Sequence, residues 1–232
     1  CFAAHRCQKG FLLSAQRRFA DAQAQFDQAI AVDGGLGNAW LGRGLLKIRQ
    51  GQGAEGRADL QVAATLEPQR SILRSYLGKA WDYTRDWHRA EKELKLAEKL
   101  DPNDPTPWLY SALFNQQNNR INQAVRDLER SKDLNDNRSV YRSGLLLDQD
   151  RAVRSANLAS IYRDAGMADV SLREASRAVT YDYANPAAHL FLSDSYNELR
   201  DPTRFNLRYE TIWFNELLLA NLLSPVGGGR LA

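Results

Sequence analysis

The sequence predicts an all-α protein, a stack of about six helix-turn-helix units of 34 residues each. Three observations carry this. Gly10, Gly44, Gly78 and Ala112 follow one another at a step of 34 residues. The same step links Ala22, Gly56, Ala90 and Ala124, and again Ala29, Ala63, Ala97 and Ser131. Asp101-Pro102, with Glu67-Pro68 one step earlier, closes the second helix of a unit, because proline has no amide hydrogen and restricts the residue before it. Two antiparallel helices approach closely only where one side chain is small. Gly78 and Ala90 are therefore expected where the helices of one unit touch, and Ala97 where a unit meets the next.

The units follow in order. The first, about 3–36, has Gly10, Ala22 and Ala29 at its small sites, with Phe19 and Phe26 between them and Gly34-Gly35 where proline would stand. The second, 37–70, has Trp40 at its aromatic site and a second helix weakened by Gly51, Gly53 and Gly56, since a glycine inside a helix costs on the order of 1 kcal/mol. The third, 71–104, has Trp81 and Trp87 as its expected large packing residues. The fourth, 105–138, carries Trp108, with Asn118-Asn119 as the turn between its helices. The register then slips by 13 residues, 139–151, and resumes with Ala159 and Ala178 in the fifth unit, 152–185. Thirteen residues cannot bury a core, so this insertion is expected to lengthen the helices or the turn rather than to form a domain. The sixth unit, 186–223, begins with His189, Leu192, Ser193 and Tyr196 and then decays. Residues 1–232 are read as a single domain.

The last stretch crowds Ile212, Trp213, Phe214, Leu217, Leu218, Leu219, Leu222 and Leu223 together. A helix that only caps a stack needs one apolar face. This one has more, and it is expected to be an atypical capping helix, largely buried, with a residual patch that supports self-association.

Small residues at two sites in mid-unit, an aromatic near the start and proline near the end of a 34-residue unit resemble the tetratricopeptide repeat (TPR) family, most fully in Ser71 to Asp104 with Leu77, Gly78, Ala90, Ala97 and Pro102. The resemblance implies a right-handed α-solenoid and a non-catalytic scaffold that presents a concave groove to a protein or peptide. In such arrays the first helices line the groove, and helical spacing brings the second, fifth, ninth and twelfth positions of a unit there. The expected groove residues are Phe11, then Asn38, Leu41, Leu45 and Ile48, then Ser75, Lys79 and Asp82, then Leu109, Leu113 and Gln116. Chaperone-adaptor TPR proteins hold terminal carboxylates with Lys, Asn and Arg. The corresponding residues here are Cys7, Phe11, Leu41, Ile72 and Tyr76, so that clamp is not expected. The block from Asn135 to Val226 also looks like the last TPR units of large bacterial envelope proteins in which such a segment precedes an outer-membrane β-barrel. That likeness implies a structural spacer within a larger protein, in the periplasm; otherwise the compartment is cytoplasmic.

Composition and motifs narrow the function further. With 31 basic and 28 acidic residues the net charge is +3, too balanced for a polyanion-binding surface, and nucleic acid is not an expected partner. No apolar run reaches the roughly 18 residues that span a membrane. Cys1 and Cys7 would point to different faces of a helix and form no easy disulfide. The chain opens in mid-pattern with Cys1, read either as the lipidated first residue of a mature bacterial lipoprotein or as a cut through a longer array; the second is preferred because Phe2 to Ser14 already reads as a helix. Gly51, Gly53 and Gly56 spell G-x-G-x-x-G, but that fingerprint works only after a β-strand, whereas NAWLGRGLLKIRQ before it is helical in pattern. His5, His88 and His189 fall in three units without metal-ligand spacing, and there is no nucleophile elbow. Asp82, Asp86 and Glu91 read as solvated helix faces. No catalytic residue, cofactor or metal is expected. Asn137-Arg138-Ser139 matches a glycosylation acceptor, of consequence only in a secreted eukaryotic chain.

Overall fold

The computed structural model describes residues 2–135 and 147–199, the side chains of 147–152 and 187 apart. The expectations for 139–146 and for the apolar C-terminal stretch lie outside the described residues. Eleven helices are present among the described residues, and no strand. They are α1 (Phe2–Ala15), α2 (Phe19–Val32), α3 (Gly37–Arg49), α4 (Gly53–Leu66), α5 (Ser71–Tyr83), α6 (Trp87–Leu100), α7 (Pro105–Gln117), α8 (Ile121–Asp133), α9 (Leu147–Asp164), α10 (Ala168–Tyr181) and α11 (Pro186–Leu199). The chain divides into two compact parts, Cys1–Phe114 and Asn115–Ala232. In the first, α1 packs on α2, α3 on α4 and α5 on α6, with α2 against α3 and α4 against α5; in the second, α8 packs on α9, α9 on α10 and α10 on α11.

Counting each repeat from its first residue (Ala3, Gly37, Ser71, Pro105, Ala152), the second helix of a hairpin starts at position 17 in all five complete repeats. The small sites explain this regularity. Position 8 (Gly10, Gly44, Gly78, Ala112, Ala159), position 20 (Ala22, Gly56, Ala90, Ala124, Ser171) and position 27 (Ala29, Ala63, Ala97, Ser131, Ala178) are buried throughout. At Gly44 and Gly56 the backbones themselves touch: a Cβ on Gly56 would stand 2.5 Å from the Gly44 carbonyl oxygen. Gly10 and Gly42 both lie against the fully buried Phe26 ring, where added Cβ atoms would come within 2.7 and 2.2 Å. Gly56 thus serves helix contact. The glycine motif around it follows helix α3, without a strand.

Each hairpin turn is built the same way. Position 15 is left-handed in all five repeats: Arg17 (φ 61°), Gly51 (87°), Arg85 (60°), Asn119 (57°) and Gly166 (75°). The next residue donates its amide to the carbonyl at position 11, as in Arg18 to Leu13 (2.9 Å), Asp86 to Trp81 (3.0 Å) and Met167 to Tyr162 (2.8 Å). This is the Schellman closure, which satisfies carbonyls that the end of a helix leaves unpaired. The loops between repeats also recur. A side chain at position 4 reaches back six residues to a loop carbonyl: Trp40 Nε1 donates to Gly34 O (2.9 Å), Arg74 Nε to Pro68 O (3.3 Å), Trp108 Nε1 to Pro102 O (3.4 Å) and His189 Nε2 to Tyr183 O (2.8 Å). Pro105 and Pro186 open α7 and α11, where a missing amide hydrogen is harmless.

The helix α9 begins at Leu147, five residues before the repeat's first position. Residues 147–151, the end of the insertion, are thus part of this helix. Three residues into the repeat, Arg154 is buried and donates Nε to Ser131 Oγ and Nη1 to Asn135 Oδ1, both at 2.9 Å. It fastens α9 to the end of α8.

Candidate functional site

The N-terminal part brings a connected set of side chains together on α5 and α7. The Tyr76 and Tyr110 rings, both at position 6, are 5.7 Å apart. Lys79 Nζ sits 4.5 Å above the Tyr110 ring, within cation–π range. One helical turn beyond Lys79 lies Asp82, half-buried, whose Oδ1 is shielded from water and has no hydrogen-bond donor among the described residues. Burial raises the Asp82 pKa, and the Lys79 charge pulls it back. Lys79 keeps contact with water, yet the protein around it displaces enough solvent to lower its pKa, against the pull of Asp82. A cation that still reaches water and a half-buried carboxylate thus stand one helical turn apart, with two tyrosine rings beside the cation.

The other expected groove residues divide by burial. Leu41, 7% exposed, belongs to the core formed with Leu60, Leu73, Leu77, Trp81 and Leu94. Leu45 and Ile48 are half-buried against that same core. Ser75 is fully buried and its hydroxyl donates to Ser71 O at 3.0 Å. Phe11 is 38% exposed and edge-on to Phe26, with ring centroids 5.1 Å apart. Asn38, Leu109 and Leu113 are half-buried. Gln116, in the C-terminal part, donates Nε2 to Asp164 Oδ2 at 2.7 Å. Tyr110 was not anticipated. Its signal is the tyrosine pair itself, one repeat apart.

A second pattern escaped the sequence reading. Position 23, on the second helix, is acidic in four successive repeats. Asp59 accepts two hydrogen bonds from Arg43 (2.8 and 2.9 Å) and one from Lys47 (3.1 Å); Glu93 pairs with Arg74 (3.0 Å); Asp127 accepts from Asn115 (2.7 Å) and Gln123 (2.8 Å); Glu174 pairs with Lys132 (2.8 Å) and Arg177. The Asp59 hydrogen bond raises the Arg43 pKa. Asp59, Glu93 and Asp127 brace their own hairpins, Glu174 reaches back to α8 of the preceding repeat, and all four are occupied by doing so. Cys7 is buried, and its thiol is pushed up to about 11, so it stays protonated at neutral pH. Among the described residues no three His, Cys, Asp or Glu side chains converge as a metal site would need, and no helix is long and apolar enough to cross a membrane.

This geometry defines a class, the helical-hairpin repeat proteins. No family model matches the chain. It is similar to anaphase-promoting complex subunit 3 of Schizosaccharomyces pombe, 28% identical over 88 residues, which are 38% of this chain and 13% of that subunit. Among solved structures it superposes on a chain of the APC/C hetero-tetramer Cut9–Hcn1 with a TM-score of 0.74 and 16% identity, covering 87% of this chain and 38% of that one. It also superposes on TTC0263, a thermophilic TPR protein of Thermus thermophilus, with a TM-score of 0.71 and 16% identity, covering 83% of this chain and 98% of that one. The fold is that of the tetratricopeptide-repeat proteins.

Proposed function

We propose that the chain is an interaction scaffold that holds a protein or peptide segment on the first-helix surface of its N-terminal part. Tyr76, Lys79, Asp82 and Tyr110 form the centre of that surface. Phe11, Asn38, Leu45, Ile48, Leu109 and Leu113 are its half-exposed surroundings, while Leu41 and Ser75 act from beneath. The observation that carries this reading is the Asp82 oxygen, removed from water and without a donor among the described residues. A buried acceptor left unsatisfied costs about 1–3 kcal/mol, which a ligand N–H would recover. The tyrosine rings supply the kind of rigid aromatic area that dominates binding energy at interfaces. The similarity to a chain of a hetero-tetrameric complex supports the same class of work.

The test is capture of partners from cell lysate on immobilised chain, with Lys79→Ala/Asp82→Ala and Tyr110→Ala variants alongside. A partner held by the parent should be lost from both variants while their melting temperatures stay within a few degrees of the parent's. If nothing is captured, or if the variants hold the same partner as firmly, this reading fails in favour of a spacer that positions adjoining domains.

A further inference from the structure

We infer that the edge formed by the three hairpin turns of the N-terminal part is a second interaction surface, which takes an acidic segment of another protein. The turns α1–α2, α3–α4 and α5–α6 form one continuous edge. The Arg49 guanidinium, at the end of α3, lies 5.2 Å from the Phe19 ring at the start of α2. The Tyr83 ring, at the end of α5, lies over Gly53 at the start of α4, near enough to meet an added Cβ at 3.2 Å. Tyr83 and Trp87 are 68% and 55% exposed there, far more than the other aromatic residues of the third repeat; Trp87, at the first position of α6, thus does not pack inside as expected, whereas Trp81 does.

The charge of the edge is net positive. Asp21 pairs with Arg18 (2.7 Å), Glu55 with Lys47 (3.8 Å), and Asp86 with Arg89 (3.4 Å), whose amide it also caps. Lys47 also holds Asp59 (3.1 Å), so Glu55 shares its cation, and Asp82 Oδ1 has no donor among the described residues. Against these two carboxylates stand Arg17, Arg49 and Arg85, which have no carboxylate partner among the described residues, and the balance of the edge is positive. Arg17 and Arg85 also occupy the left-handed position that the second and fifth repeats fill with Gly51 and Gly166. Glycine suits that backbone better than arginine does. The turn closes identically with either residue, so the fold gives no reason for arginine there; what arginine adds is charge at the outermost point of each turn. Arginine and tryptophan are the residue types that carry most energy at interfaces. A segment that interleaves carboxylates with apolar side chains complements this edge in both respects.

The test titrates the full chain against three fluorescein-labelled probes by fluorescence anisotropy: a Glu-Glu-Leu repeat peptide, its Gln-Gln-Leu counterpart and an oligothymidylate. The Glu peptide should bind, more weakly as salt rises, and the other two should bind at least about tenfold more weakly. Arg17→Gly/Arg85→Gly should weaken the Glu peptide about five- to tenfold while melting no lower than the parent, because glycine relieves the left-handed backbone. Trp87→Ala should weaken it as well. Failure of the Glu peptide to bind, equal binding of either control probe, or unchanged affinity in the double-glycine variant overturns the assignment. Lys79→Ala/Asp82→Ala should leave this affinity unchanged; its loss there would move the peptide to the first-helix surface and overturn the edge assignment too.

Discussion

Position 20 is where the two helices of a hairpin come closest, and at Gly56 the closeness has a number. An added Cβ would stand 2.5 Å from the Gly44 carbonyl oxygen and 2.6 Å from Ile48 Cγ1, and the backbone carbonyl cannot swing aside as a side-chain tip can. Gly56→Ala should therefore lower stability by about 1–3 kcal/mol through overpacking, despite the better helix propensity of alanine. A urea midpoint equal to the parent's would show that the hairpin can open without cost. Asp104 makes a second residue-level case. It is fully buried, its Oδ1 accepting from the Thr106 amide (2.8 Å) and its Oδ2 from the Ser71 hydroxyl (3.3 Å). Burial raises its pKa above the ordinary 3.8, with the Thr106 hydrogen bonds pulling the other way. A carboxyl whose folded pKa is raised holds its proton more tightly folded than unfolded. Its contribution is present below the ordinary value and is lost as pH rises through the raised one. Asp104→Asn keeps an oxygen for Thr106 and cannot ionise. Measured by urea unfolding, the stability of this variant relative to the parent should improve between about pH 4 and about pH 7; a constant difference would mean that Asp104 ionises as readily folded as unfolded.

At the scale of elements, the joints between helices are more uniform than the helices. The hairpin joint closes through a left-handed residue and an amide to the carbonyl five residues back. The joint between repeats closes through a position-4 side chain and a carbonyl six residues back, with Trp, Arg or His as donor. Three chemically different side chains can fill the second role because the loop asks only for an N–H on a long enough arm. Trp108→Phe keeps the ring and removes the N–H, so it should cost about 0.5–1.5 kcal/mol and speed amide exchange at Asn103 and Asp104. Unaltered exchange in that loop would show that the indole contributes packing alone. Trp40→Phe should cost more, since Trp40 also stacks under the Arg43 guanidinium at 4.6 Å.

Across the whole molecule, positive and negative charge nearly balance, and part of it pairs within hairpins or from one repeat to the next. Arg43, Lys47, Arg74 and Lys132 are bound to position-23 carboxylates. The unmatched arginines on the turn edge of the N-terminal part are Arg17, Arg49 and Arg85 alone among the described residues. Sequence-independent DNA binding draws on many neutralised phosphates. The full chain should accordingly show no shift of duplex DNA at physiological salt; a complex that dissolves steeply between about 50 and about 200 mM salt would refute this.

The sequence alone determined the repeat length and the residues at which the helices of a hairpin touch. Steric exclusion at Gly44, Gly56, Ala90 or Ala97 acts on the residue type itself and recurs at one spacing, so it can be counted along the chain. Even the Asn119 turn was legible, because asparagine tolerates a left-handed backbone. Arg17 and Arg85 in the same conformation were not, since arginine carries no such signature and only the geometry of the closed turn imposes it. Tertiary structure alone decided which polar groups are occupied and which are open. Nothing in the sequence marks Asp59, Glu93, Asp127 and Glu174, because a carboxylate's role depends on the cation or amide that another helix brings within about 3 Å. Leu41 and Ser75 likewise share their helical spacing with Lys79 and Asp82. Spacing on a helix assigns a direction, and only the neighbouring helix decides whether that direction leads to solvent or into the core.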